Sequence, residues 1–173
     1  MAMISNNKAM ITACEKNKIR LERLKFNLEK QGATRVSLIA KDSRYLDNFF
    51  SFDKILLDSP CSGSGTLDLN KESNEFTEEL VKRSVKTQKE LIKKALKILS
   101  KNGEIIYSTC SVLKEENEEI IKEVLSYGLE IIPIEKNLFN NIPLLPTTIN
   151  GTLCVMPTME FEVFFVAKLK KLC

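Results

Sequence analysis

DKILLDSPCSGSGTL, residues 53–67, runs an apolar segment into a glycine-containing loop, and this junction decides the fold. Ile55, Leu56 and Leu57 make a short continuous hydrophobic stretch, the pattern of a parallel strand covered on both faces. The stretch stops at Asp58, and Pro60, Cys61, Gly63 and Gly65 follow. A loop of this kind lies at the carboxyl end of a strand, where α/β sheets bind their ligands.

Elements on both sides alternate in the same way. Residues 9–14 (AMITAC) predict a short buried strand. Residues 16–31 predict an amphipathic helix with Ile19, Leu24 and Leu28 near one face and Gly32 just past its end. VSLIA (36–40) is a second strand. A long helix is expected over roughly residues 76–99, with Leu80, Leu91, Ala95 and Leu99 facing inward and SKNG as its stop. EIIYST (104–109) is a further strand, followed by a helix from about 114 to 125 and the strand LEIIPI (129–134). Residues 151–171 predict two strands folded back as a hairpin. The order predicts one α/β domain with a mostly parallel sheet, and both Asp58–Cys61 and Thr109–Cys110 fall at its carboxyl ends.

Composition narrows the chemistry. The 26 basic and 23 acidic side chains leave a net charge of only +3, which permits nucleic-acid contact without arguing for it. No apolar run approaches the ~20 residues that span a bilayer, and the first ten residues hold no signal core, so a cytoplasmic protein without membrane contact is expected. The chain has no histidine, which excludes His-based triads and His-containing zinc sites. Its five cysteines (Cys14, Cys61, Cys110, Cys154 and Cys173) lack CxxC spacing and the density of a disulfide framework. Cys14, Cys154 and Cys173 read as small buried hydrophobes. Cys61 and Cys110 sit among small polar residues just past strand ends, surroundings that expose a thiol.

The 58–67 loop fits no phosphate motif. A P-loop would need GxxxxGK[ST], but Gly65 is followed by Thr66; a GxGxxG fingerprint fails because position 68 is Asp. A metal held by Cys61, Cys110 and Asp58 lacks ligand spacing, so no metal is expected.

The two cysteine segments resemble signatures of the Nop2/NSUN/RsmB (Sun) family of RNA 5-methylcytosine methyltransferases. DSPCSGSG (58–65) is similar to that family's Asp-Ala-Pro-Cys-Ser-Gly-x-Gly, with Ser59 in place of the usual alanine. YSTCSVLKEENEEII (107–121) is similar to its second cysteine signature. ITACEKNKIRLERLKFNLEKQGA (11–33) resembles the strand and helix that offer an acidic residue to the ribose of S-adenosylmethionine. Residues 145–171 resemble the closing hairpin, with Val163 where a glycine is usual.

The resemblance implies a Rossmann-like, S-adenosylmethionine-dependent fold that methylates carbon 5 of cytosine in ribosomal or transfer RNA through a covalent cysteine adduct. Cys110 would be the nucleophile and Cys61 would assist product release. Asp58 would lie between the base and the methionine end of the cofactor, and Pro60 would fix the turn that aims both. Glu15 would accept from the ribose hydroxyls and Asp42 would contact the adenine side. For Glu15 a charge near a helix start, and for Asp42 a turn former, remain the local alternatives. The glycines would let backbone approach a flipped base and the cofactor closely. The run EENEE (115–119) reads as a solvated first helical turn, with Asn117 buttressing the Cys110 loop.

The family's first strand and glycine-rich cofactor loop have no counterpart, since no glycine precedes Gly32. MAMISNN reads as the end of the helix that follows that loop. The absent strand would lie between those of residues 9–14 and 53–57. Either those strands close the gap, another chain supplies the amino-terminal part, or the chain is a truncated product. The alternative to an active enzyme is therefore an inactive remnant or half of a split enzyme.

Overall fold

The structure, a computed structural model, describes residues 1–66 and 76–172. Leu67, Asp68 and Cys173 fall outside the described residues. The chain divides into two compact units, Met1–Asp47 and Asn48–Cys173.

In the first unit, β1 (Ile11–Cys14) and β2 (Val36–Ile39) pair in parallel, Ile11 opposite Val36 and Cys14 opposite Ile39. The crossover is α1 (Lys18–Lys30), capped by Asn17, whose side chain accepts from Arg20 N at 3.1 Å. No residue of α1 is fully buried. Its half-buried stripe is Leu21, Leu24 and Leu28. Ile19, expected on that face, is 67 % exposed, because two residues carry it about 200° around the helix from Leu21. The β1 residues are likewise half-buried rather than buried. Residues 2–7 form a succession of turns. Asn7 N donates to Ala2 O and Asn6 N to Met3 O, both at 2.9 Å, with Asn6 left-handed at φ 50°.

The second unit is built on a six-stranded sheet. β3 (Phe52–Asp58) pairs in parallel with β4 (Leu99–Thr109), and the crossover between them is α2 (Glu78–Ile98). Thr77 caps α2, accepting from Leu80 N at 3.1 Å. The buried face of α2 holds the expected Leu91 and Ala95, with Ile92, Ile98 and also Ser84 and Gln88. Leu80 is half-buried, and Leu99 begins β4 instead of ending the helix. SKNG is absorbed into β4, with Asn102 left-handed and the β3–β4 register shifting between Phe52 and Lys54. α3 (Glu118–Leu125) leads to β5 (Leu129–Ile131).

The hairpin forms as β7 (Leu153–Val155) and β8 (Phe164–Lys171), antiparallel. A two-residue β6 (Leu144–Leu145), too short to leave a sequence pattern, adds to β7. β8 inserts between β4 and β5, antiparallel to both, so β4 and β5 share a direction without touching. The result is an α/β fold of the Rossmann-like type, whose helical crossovers β1–α1–β2 and β3–α2–β4 join parallel pairs.

The core of this unit packs Ile92, Ala95 and Leu99 against Ile105, Tyr107, Ile120, Val124, Phe165 and Leu169. Tyr107 meets Phe165 edge-on, with ring centroids 6.4 Å apart. β3 departs from the covered strand that its apolar run predicts. Among the described residues it pairs only with β4, and Leu56 is 53 % exposed. No helix among the described residues is long and apolar enough to cross a membrane.

Candidate active site

Neighbouring parallel strands that end level with each other bring their following loops together. Asp58, the last residue of β3, lies opposite Ser108 of β4, and Ser59 N extends the ladder by donating to Ser108 O at 2.9 Å. Cys61 therefore follows β3 by three residues where Cys110 follows β4 by one. Their Sγ atoms lie 3.0 Å apart, sharing an S–H···S hydrogen bond. Both residues are half-buried.

Asp58 stands exposed beside this pair, with Ser108 Oγ donating to its Oδ1 at 2.9 Å. Pro60 is exposed as well, and its carbonyl accepts from Gln88 Nε2 of α2 at 3.0 Å. Burial, then the hydrogen bond and charge of Cys61, push the Cys110 thiol up to about 12, and the charge of Asp58 adds to the rise. Cys110 is accordingly a protonated thiol at neutral pH. Among the described residues no group of three His, Cys, Asp or Glu side chains is placed to hold a metal ion.

The loops are stitched by polar side chains that the sequence does not single out. Ser64 Oγ meets Ser111 Oγ at 2.8 Å and accepts from Val112 N at 3.1 Å, and Gly65 N donates to Cys110 O at 3.1 Å. Gly63 takes a left-handed φ of 73° in the turn closed by Thr66 N on its carbonyl. The close approach at Gly65 is to the protein itself. A Cβ there would fall 2.6 Å from Cys110 O, so this glycine admits the neighbouring loop.

EENEE departs from the solvated turn that its charges predict. Glu115 and Glu119 are exposed, but Glu116, Asn117 and Glu118 are buried, because this turn faces the two loops and not solvent. Glu116 accepts from Ser62 N and Ser62 Oγ, each at 2.7 Å. Asn117 accepts from Thr109 Oγ1 at 2.5 Å and donates to Ser111 O at 2.7 Å, bracketing Cys110. A polar residue on the apolar face of α2, Gln88, was the available signal for this network.

The remaining predicted site residues lie in the first unit. Glu15, just past β1, accepts from Asn17 N at 2.7 Å and pairs with Arg20 at 3.3 Å. Asp42 caps a short 3-10 turn by accepting from Arg44 N, and pairs with Arg44 Nη2 at 2.7 Å and with Lys16 at 3.4 Å. The Arg44 guanidinium, with smaller help from Lys16, holds the Asp42 carboxyl well below the usual range. Of the other cysteines, Cys14 is half-buried and Cys154 is part of the core, where burial pushes its thiol up to about 11.

The chain is similar to known proteins along nearly all of its length. Ribosomal RNA small subunit methyltransferase F from Vibrio atlanticus is 34 % identical over 179 residues, covering 99 % of this chain and 37 % of its own length. Its namesake from Psychromonas ingrahamii is 34 % identical over 173 residues, covering 96 % and 36 %. This chain thus spans little more than a third of these relatives. The structure of NSun6 from Pyrococcus horikoshii with SFG superposes with a TM-score of 0.87 at 30 % identity, covering 99 % of this chain and 44 % of that one. A methyltransferase homolog from the same organism gives 0.82 at 31 % identity, covering 99 % and 56 %. The sequence profile of the 16S rRNA methyltransferase RsmB/F family matches residues 1–170, and the chain belongs to that family.

Proposed function

We propose that this chain carries the catalytic chemistry of an RNA cytosine C5-methyltransferase that uses S-adenosylmethionine and acts on ribosomal or transfer RNA in the cytoplasm. The observation that carries the proposal is the 3.0 Å approach of Cys61 Sγ to Cys110 Sγ beside the exposed Asp58. Relatives named as ribosomal RNA methyltransferases support the substrate class.

Carbon 5 of cytosine is a poor nucleophile. A thiolate that adds to carbon 6 forms a C–S bond and shifts the C5–C6 electron pair toward carbon 5, an instance of covalent catalysis. Cys110 fits this role once it gives up the proton that burial and Cys61 hold on it. Expulsion of the sulfur requires loss of the carbon 5 proton, and Cys61 is assigned to that second stage. Such an enzyme draws its target base out of the stack.

An exposed carboxylate at a strand end, steadied by Ser108, suits the cationic methionine end of the cofactor, so Asp58 and Pro60 are assigned there. Glu15 and Asp42 are assigned to its nucleoside end. When bound, S-adenosylmethionine supplies an electrophilic methyl group.

The test is to replace each cysteine singly in the active protein and to look for RNA–protein adducts on denaturing gels. Cys61→Ala should accumulate adduct and Cys110→Ala should form none; the reverse pattern would overturn the assignment.

A second reading, in which the chain is one half of a split enzyme, draws on the exposed Leu56 and on the pairing of β3 with β4 alone among the described residues. A polypeptide that supplies an amino-terminal strand would cover this edge. On that reading the 173-residue chain binds S-adenosylmethionine weakly or not at all, and micromolar binding by calorimetry counts against it.

A further inference from the structure

One turn ahead of α3 reaches both cysteine loops. Asn117 holds the residues flanking Cys110, through Thr109 Oγ1 and Ser111 O. Its neighbour Glu116 holds the other loop, and its side chain is fully buried. Ser62 N donates to Glu116 Oε1 and Ser62 Oγ to Oε2. Gln88, also fully buried, donates to Pro60 O at 3.0 Å and more weakly to Glu116 Oε1 at 3.4 Å. Cys61 is thus gripped on both sides, at the carbonyl before it and at the amide after it.

The turn itself is anchored. Tyr107 OH, fully buried in β4, donates to Glu116 O at 2.7 Å, and Glu116 N donates to Leu113 O at 3.2 Å. A buried carboxyl group with three donors around its two oxygens is a costly feature to keep unless its bonds matter. The two shorter of these bonds end at the backbone and side chain of the residue next to Cys61, and the third comes from Gln88. A glutamine would fit the space but would replace the charge-assisted bond from Ser62 Oγ with a weaker neutral one, because its NH2 donates and the hydroxyl must turn to accept.

We infer that Glu116, seconded by Gln88, is a positioning residue that sets Cys61 against Cys110, so that the stage assigned to Cys61 depends on a carboxylate that never meets the base. The inference rests on the proposed reading of the two thiols. It separates two effects. Cys110 is held by Asn117, so loss of Glu116 should leave attack largely intact while Cys61 drifts out of place.

Two measurements test it on the intact protein. The first uses no RNA: diamide oxidises the paired thiols to a disulfide, taking up two electrons and two protons itself, and peptide mass mapping follows the Cys61–Cys110 link. Glu116→Gln should slow this closure about tenfold, since misplacing a reacting group by a fraction of an ångström has effects of that order. The second is turnover with RNA, where Glu116→Gln should accumulate covalent adduct as Cys61→Ala does, with adduct formation itself nearly unchanged. Ser62→Ala, which deletes the Oγ bond alone, should move both readouts the same way by less. It serves as the test if Glu116→Gln fails to fold, as judged by circular dichroism.

Unchanged closure and unchanged adduct levels in the folded variants would overturn the inference. So would a parallel loss of adduct formation and turnover, the mark of general support of the fold. Failure of Cys61→Ala to trap adduct would instead sink the reading of the thiols, whatever diamide reports of Glu116.

Discussion

Gly65 and Val163 meet with no room between them: a Cβ on Gly65 would stand 2.5 Å from Val163 Cβ. Val163 is 1 % exposed, so it cannot step aside into solvent. This contact seats the Cys61 loop on the segment that leads into β8. Gly65→Ala should therefore cost about 1–3 kcal/mol, in the range of overpacking. Removing the obstructing Cβ should recover part of that cost, because residues in contact couple. In a denaturant double-mutant cycle, Gly65→Ala with Val163→Gly should lose less than the sum of the singles; additivity would show that the Cys110 carbonyl, and not Val163, sets the limit.

Tyr107→Phe should destabilise the protein by about 1–3 kcal/mol, the usual range when a buried hydrogen-bonding group is left without its partner. The lost bond is that of Tyr107 OH to Glu116 O. Equilibrium unfolding in urea measures it, and an unchanged midpoint would contradict the anchoring of the turn.

Thiol reactivity should rise with pH in a defined way. Cys110 is raised from 9.0 to about 12, first by burial and then by Cys61. Its alkylation by iodoacetamide should be slow near neutrality and still climbing above pH 9, and Cys61→Ala should shift that profile to lower pH. A folded-state pKa above the unfolded value means that the folded protein holds the proton more tightly. The associated stability is full below about pH 9 and is lost as pH rises toward 12. Cys154, raised to about 11, contributes with the same sign.

At the acid end Glu123 works in the opposite sense. Hydrogen bonds from Lys89 and Lys93, with help from Tyr127, pull it down from 4.5 to about 2. Because the folded pKa is depressed, its stabilisation is present above about pH 4.5 and disappears as pH falls through 2. The lysines are half-exposed, so Glu123→Gln should cost no more than about 1 kcal/mol at neutral pH. The difference between variant and parent should vanish by pH 2 in urea titrations, and a difference that persists there would point to packing instead.

Strong local patterns carried much of the fold. The apolar run of 53–58, the alternation through 104–109 and the hairpin of 151–171 each became the expected element, because side-chain period and flanking glycines act locally. Ile19 misled because an isoleucine near a helix start satisfies the period of a face that the fold does not use. The pairing of Cys61 with Cys110 was legible through the order of two signatures, since parallel neighbours carry their loops to one place. Glu116 was not. A run of acidic residues ordinarily marks a wet helix start, and only the approach of Ser62 from 54 positions away makes one member a buried acceptor.

β8 follows every other strand of its sheet in the chain, yet it is the one on which β4, β5 and β7 all depend for hydrogen bonds. During synthesis, no partly made chain can complete that sheet before about residue 171 has cleared the ribosome. The sheet that carries both cysteine loops therefore gains its central strand after every other strand in it has been made. Pairings this distant in sequence close slowly, so arrest of translation before residue 164 should leave β4 without its central neighbour.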